Sequence, residues 1–229
     1  MKVIYVIAIS CTLITCTASK SQSLQEAMDG VAQELLEDRR FHSTTIAVYK
    51  DGKSIIRHYG ELTQGLGNPP TDSSLYDIAS VTKTFTGTLA AKAVLEGRLK
   101  LEDDIRNFLE EGYTNLQYNG EKITVQHLLT HRSGFPNFAP ARENKAAFLE
   151  ALKTIDITQK PGSSYQYSNT APELMAFILE KVYGIPYHDL VSQYIFNPSG
   201  MKMARFSLVG VDEKNIVNGY DSEKPVEKL

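Results

Sequence analysis

Apolar residues recur at helical spacing at Leu24, Met28, Val31 and Leu35, so Ser23 to Arg40 is predicted to be an amphipathic helix. The period then changes. Thr44 to Lys50 and Lys53 to Tyr59 are short β-branched runs flanking Asp51-Gly52, the signature of a hairpin closed by a tight primed turn. Gly65 to Ser74, rich in Gly, Pro and Ser, reads as a loop. Beyond it Val81, Phe85 and Leu89 mark one apolar helix face, and Gly97 supplies a C-terminal stop. Thr82, Thr84, Thr86, Gly87 and Thr88 are poor helix formers, so tertiary packing has to hold this helix. Asp103 or Asp104 is expected to cap a short helix ending at Phe108, and Thr124 another containing Val125, Leu128 and Leu129. Arg142 to Ile155 is amphipathic through Phe148, Leu149, Leu152 and Ile155. Leu174 to Tyr183 is mostly apolar and ends at Gly184, with Pro186 beyond, and Tyr187 to Phe196 gives a last helix that stops at Asn197-Pro198.

Helix, hairpin and then a long helical run predict an α/β layer with a mostly helical insertion. A lone two-stranded hairpin is marginal in water. Yet after Gly134 the only strand-like pattern is a weak one near Phe206 to Val211, so the sheet reads as unfinished.

Composition narrows the function classes. With 229 residues the chain has ample length for a core; 42% hydrophobic and 22% charged residues are ordinary for a globular protein. A net charge of −3 with no basic block argues against a nucleic-acid partner. No internal repeat or low-complexity stretch is present. Lys2, the apolar run Val3 to Ile14 and the small residues of Cys16-Thr17-Ala18 read as an export signal over residues 1–18. Leu13-Ile14-Thr15-Cys16 also resembles a bacterial lipoprotein signal, in which Cys16 becomes the lipidated first residue, although Thr15 departs from the usual Gly, Ala or Ser. Both cysteines, Cys11 and Cys16, lie in this segment, which leaves the remainder without disulfide or thiol chemistry. His42, His58, His127, His131 and His188 do not cluster at metal-ligand spacing; His127 and His131 are four apart but lack the glutamate of a zinc-protease helix. No metal and no organic cofactor is expected.

The chemistry-bearing pattern is Ser80-Val81-Thr82-Lys83. Positions i and i+3 share a helix face, so the lysine amine can reach the serine hydroxyl and act as its base. Ser80 falls at or near a helix N-terminus, where the dipole favours developing negative charge. The alternative is an N-cap serine followed by a solvated lysine. A second match, Ser199-Gly200-Met201-Lys202, follows Pro198 and reads as a turn. Lys160-Pro161-Gly162 leads to the other candidate, Tyr167-Ser168-Asn169. In an extended segment Tyr167 and Asn169 point the same way. The phenol can relay a proton if an ammonium lowers its pKa, and the amide can hold a substrate carbonyl or N–H. The alternative is turn chemistry, with Asn169 capping the next helix. Tyr113-Thr114-Asn115 repeats the spacing but lacks the Pro-Gly lead-in.

Together these motifs resemble the serine β-lactamase and penicillin-binding-protein superfamily, in its class C-like branch. The resemblance runs in order through Ile46 to Lys53, Tyr76 to Gly87, Leu95 to Asp103, Ile123 to Gly134, Pro161-Gly162 to Asn169 and Asn197 to Met201. It implies an α+β fold of the β-lactamase/transpeptidase type: an antiparallel sheet flanked by helices, a mostly helical subdomain, and the C-terminal strands missing. Residues 19–229 would then form an incomplete domain, 19–65 its α/β part and 66–229 its mostly helical part. Carried over residue by residue, Ser80 matches the acylating serine, Lys83 its general base, Tyr167 the proton-shuttling tyrosine and Asn169 the asparagine that orients substrate. His131 to Gly134 reads as structural. The family's third motif, Lys-Thr-Gly or His-x-Gly, does not occur after Asn169.

The implied function is an exported serine hydrolase, periplasmic or lipid-anchored at the cell envelope, touching the membrane only through a lipid on Cys16. Its substrate would be a small molecule or peptide: a β-lactam, a D-Ala-D-Ala peptide or a small ester. The lost motif carries one of two oxyanion donors, so weak activity or none is expected. A non-catalytic binding or sensor protein on the same scaffold, or a gene fragment without function, are the alternatives.

Overall fold

The computed structural model describes residues 23–136, 144–221 and 224–225. The export signal with Cys16, and Arg142 at the expected start of the 142–155 helix, lie outside the described residues. The chain divides into two units, one comprising 1–74 with 212–229 and the other 75–211.

The first unit is built on helix α1 (Leu24–Glu37) and strands β1 (Ser43–Lys50) and β2 (Lys53–Gly60). A capping box starts α1: Ser23 Oγ accepts the Glu26 N–H at 3.1 Å, and Glu26 accepts the Ser23 N–H at 2.9 Å. The helix stops at Glu37 rather than Arg40, because Asp38 is extended and turns its carboxylate onto Arg40. Its buried face is also rotated from the expected one. Met28 and Ala32 are buried, whereas Leu24 and Val31 are exposed. The small Ala32 side chain lets the helix sit close to the hairpin, and Asp29 ties the two together by accepting the Tyr59 hydroxyl at 2.7 Å and pairing with Arg57 Nε at 2.9 Å. The hairpin has the expected register, Lys50 opposite Lys53, with Asp51 (φ 50°) and Gly52 (φ 76°) both left-handed as a primed turn requires. The same unit holds a 3₁₀ turn at Glu213–Asn215 and a two-residue strand pair, Tyr220–Asp221 with Lys224–Pro225.

The second unit is helical. A 3₁₀ turn (Ala79–Val81) leads into α2 (Thr82–Leu95); then come the 3₁₀ turn Ile105–Phe108, the minimal strand pair Gln117–Tyr118 with Glu121–Lys122, and α3 (Val125–Leu129), α4 (Lys145–Leu152), α5 (Thr170–Tyr183) and α6 (Tyr187–Val191). Asp104, not Asp103, caps the first of these short turns after α2, accepting the Arg106 N–H at 3.0 Å. The spine is α5, whose Ala171, Leu174, Met175, Ile178 and Leu179 are fully buried. It packs against α2, α3 and α6. On α2 the buried residues are Thr86, Leu89, Ala90 and Ala93, while Val81 is 58% exposed, so the face differs from the Val81-Phe85-Leu89 stripe. Small side chains decide this: Ala90 and Ala93 permit the close approach of α5. The threonines bond back onto their own helix, Thr84 to the Val81 carbonyl and Thr88 to that of Thr84. Gly97 (φ 69°) and Gly184 (φ 74°) terminate α2 and α5 as expected. α5 begins at Thr170, four residues before the apolar run suggested, and α4 starts at Lys145, capped by Asn144. α6 passes directly into a π-turn, Ser192–Phe196.

The strand expected near Phe206 to Val211 is absent. That stretch is irregular, with a turn at Val209-Gly210 (Gly210 φ 76°) and Val209 91% exposed, and among the described residues no strand pairs with it. Among the described residues β1 and β2 therefore form a two-stranded sheet. Helices with small antiparallel pairs make an α+β fold. No helix among the described residues is long and apolar enough to cross a membrane.

Candidate active site

Ser80 sits on the 3₁₀ turn that feeds α2. The preceding Ala79 is left-handed (φ 42°), a conformation that costs a non-glycine residue about 1–3 kcal/mol. Asp77 offsets part of that cost by accepting the Ala79 N–H at 2.7 Å. The kink presents the Ser80 side chain at the mouth of α2, on the same side as Lys83 in the first helical turn.

Lys83 Nζ donates to Ser80 Oγ at 2.9 Å and to Asn169 Oδ1 at 3.1 Å. Tyr167 OH lies 2.7 Å from Ser80 Oγ. The four side chains named from the sequence thus form one hydrogen-bonded cluster, drawn from two segments more than eighty residues apart. The first-turn lysine, unfavourable with the helix dipole, is occupied by two acceptors rather than solvated. Asn169 stands at the N-cap position of α5 but does not cap it with its side chain. Ser168 does so instead, its Oγ accepting the N–H groups of Thr170 at 3.1 Å and Ala171 at 3.4 Å. That division of labour frees the Asn169 amide to face Lys83.

The electrostatics follow from the contacts. The Lys83 ammonium beside the phenol oxygen, helped by the hydrogen bond with Ser80, holds the Tyr167 pKa below the usual 10.0. Lys83 Nζ also lies 5.0 Å from the Tyr167 ring centroid. A hydroxyl, an ammonium and a phenol of lowered pKa in mutual contact can pass a proton among themselves with little rearrangement. The site is open to solvent, with Tyr167 39% exposed.

The segment carrying Tyr167 is clamped by the turn that follows α3. Gly162 N–H donates to the Arg132 carbonyl at 2.8 Å, and Gln166 N–H to the His131 carbonyl at 2.8 Å. At Gly134 (φ 77°) a Cβ would lie 2.4 Å from the Gln159 carbonyl oxygen, so only glycine fits. His131 reaches further than its sequence reading as part of a structural turn. Its ring lies 4.7 Å from that of Tyr167, and its Nδ1 accepts the Ser168 N–H at 3.3 Å. No periodicity or motif spacing signals this contact. The remaining matches are structural: Asn115 spends its amide on the carbonyls of Leu152 and Ile155, and Ser199 to Lys202 is a turn. His127 Nδ1 accepts the Thr124 N–H at 3.1 Å, and no group of three His, Cys, Asp or Glu among the described residues could hold a metal.

The family model described as "Beta-lactamase" matches residues 28–228. A "Beta-lactamase" of Providencia stuartii is 25% identical over 223 residues, covering 96% of this chain and 57% of that protein. The "D-alanyl-D-alanine-carboxypeptidase/endopeptidase AmpH" of Escherichia coli (strain K12) is 32% identical over 166 residues, 69% of this chain and 43% of that one. The octameric penicillin-binding protein homologue from Pyrococcus abyssi superposes with a TM-score of 0.78 at 29% identity, covering 89% of this chain and 50% of that one. The chain spans about half the length of the curated relatives it matches.

Proposed function

The chain belongs to the beta-lactamase family, and we propose that it carries the acyl-transfer centre of a serine hydrolase, with Ser80 as nucleophile. The observation that carries the reading is the pair of contacts on Ser80 Oγ, 2.9 Å to Lys83 Nζ and 2.7 Å to Tyr167 OH. Lys83 and Tyr167 act as one coupled base. The Lys83 ammonium stabilises the Tyr167 phenolate before attack, and as Ser80 Oγ attacks the acyl carbon its proton passes to that phenolate, leaving a phenol. When the tetrahedral intermediate collapses, the Tyr167 hydroxyl returns that proton to the departing amine or alkoxide. Asn169 holds Lys83 in place and orients the substrate's amide. A water molecule, deprotonated by the same pair, then cleaves the Ser80 ester and releases the acid. Such positioned proton transfer contributes roughly 10²–10⁴-fold.

The substrate is an acyl compound with a small leaving group: a β-lactam, a D-Ala-D-Ala peptide or a small ester. The helix start at Ser80 supplies one N–H to the oxyanion. Lys2, the apolar run to Ile14 and Cys16-Thr17-Ala18 support export, to the periplasm or to a lipid anchor on Cys16.

A fluorescent penicillin provides the test, because covalent capture needs acylation only once. The chain should be labelled stoichiometrically, and Ser80→Ala should abolish the label. Label that survives in Ser80→Ala would remove Ser80 from the nucleophile's role.

A further inference from the structure

His131 occupies a conformation that histidine seldom adopts. Its φ is 54°, in the left-handed region. The consequence is that its carbonyl and its imidazole both reach the same neighbouring segment. The carbonyl accepts the Gln166 N–H at 2.8 Å, and Nδ1 accepts the Ser168 N–H at 3.3 Å. The N–H of the residue before Tyr167 and that of the residue after it are therefore both held by His131. The imidazole ring completes the hold by lying 4.7 Å from the phenol ring, tilted 32° to it. We propose that His131 is a positioning residue that keeps the Tyr167 hydroxyl on Ser80, through two peptide hydrogen bonds and a ring contact, and that releases it when the imidazole is protonated. The inference rests on the acyl-transfer reading of Ser80.

The chemistry of the ring makes the hold conditional on pH. An Nδ1 that accepts carries no proton, so the neutral imidazole has its hydrogen on Nε2. Protonation turns Nδ1 into a donor facing another donor, and the Ser168 bond is lost. It also sets a second cation near the Lys83 ammonium. The titratable groups facing His131 are Lys83 from α2 and the phenols of Tyr165 and Tyr167; the neighbouring Arg132 turns away to the Gly162 carbonyl at 3.3 Å. Burial, and then the Lys83 charge, hold the imidazole pKa below the ordinary 6.5. For a depressed histidine the folded state binds fewer protons than the unfolded one. The hold is therefore complete above about pH 6.5 and is lost as pH falls through the lowered value.

The test uses the full chain labelled with ¹⁵N and with ¹³Cζ-tyrosine, titrated from about pH 8 to about pH 4, a range that brackets histidine. Tyr167→Phe assigns the phenol signal. The Tyr167 ¹³Cζ and Ser168 amide resonances should move together at one midpoint below 6.5, and penicillin labelling should fall at that same midpoint. His131→Asn tolerates the left-handed backbone and offers Oδ1 where Nδ1 was, without titrating. It should abolish the midpoint and keep labelling at neutral pH within about threefold, a modest change for acid–base positioning. His131→Ala should lower labelling roughly tenfold or more above that midpoint, since small displacements of a reacting group are costly, and should match the unaltered chain below it. Resonances that keep their midpoint in His131→Asn, or full labelling in His131→Ala, would overturn the proposal. If the unaltered chain takes no label at any pH, the acyl-transfer reading has failed; the Tyr167 and Ser168 resonances still report whether His131 holds that segment.

Discussion

The two units of this chain solve the problem of burial differently. In residues 75–211 one continuous cluster runs from Leu89 through Ile105, Leu116, Ile123 and Leu128 to Leu174, Ile178 and Phe196, all buried. In the hairpin unit, among the described residues, Met28, Ala32 and Leu62 are buried, while Val31, Phe41, Tyr49, Ile56 and Leu66 face solvent. Every member of the Ser80 cluster belongs to the well-packed unit. A site whose contacts must hold to a few tenths of an ångström needs rigid elements beneath it, and the α2–α5 packing supplies them. Among the described residues the hairpin unit has an unpaired edge on each strand, the kind of edge that can pair with another chain.

If the packed unit is what holds the site, damage to its centre should have the largest effect. Leu174 is fully buried on α5, one turn beyond Asn169. Leu174→Ala removes its contacts and leaves a cavity, at a cost of about 2–5 kcal/mol. Urea titration followed by circular dichroism should show the helical transition at a markedly lower midpoint. An unchanged midpoint would mean that α5 is not the spine.

Next in size is the clamp behind Tyr167. Gly134→Ala forces a side chain into left-handed backbone, about 1–3 kcal/mol, and drives Cβ against the Gln159 carbonyl 2.4 Å away. The 159–169 segment has to move, and Tyr167 moves with it. Thermal melting should fall by several degrees, and penicillin labelling of the molecules still folded should fall as well. Loss of stability with labelling intact would separate the clamp from the site.

These cases show what local patterns can and cannot reveal. The hairpin was legible because Asp51-Gly52 dictates its own turn, and the stops at Gly97 and Gly184 were legible because a left-handed glycine ends a helix without help. The Ser80–Lys83 approach was legible because three residues on a helix set it. The buried faces of α1 and α2 were not, since small alanines at positions 32, 90 and 93 decide how closely a neighbour approaches, and apolar periodicity gives them little weight. The start of α5 was hidden for a related reason: its first turn, Thr170-Ala171-Pro172-Glu173, carries no large apolar residue and is capped by Ser168, which frees Asn169 for Lys83. His131 was read only as part of a turn, because its contact with Tyr167 spans 36 positions and depends on one unusual backbone angle. The pattern at Phe206 to Val211 shows the converse error: strand-like residues there form an irregular stretch with a turn at Val209-Gly210.

The smallest effect is expected on the hairpin, and it tests the other half of the contrast. Ile56 lies opposite Ala47 on β2 and is 50% exposed. Replacing a half-exposed apolar residue with a charged one usually shifts stability by no more than about 0.5 kcal/mol. A lysine on an edge strand also discourages pairing with a second chain. Ile56→Lys should therefore leave the melting temperature nearly unchanged while delaying the onset of light scattering on concentration. A large drop in melting temperature would mean that Ile56 is packed in solution, and that the hairpin unit is less open than its exposed side chains indicate.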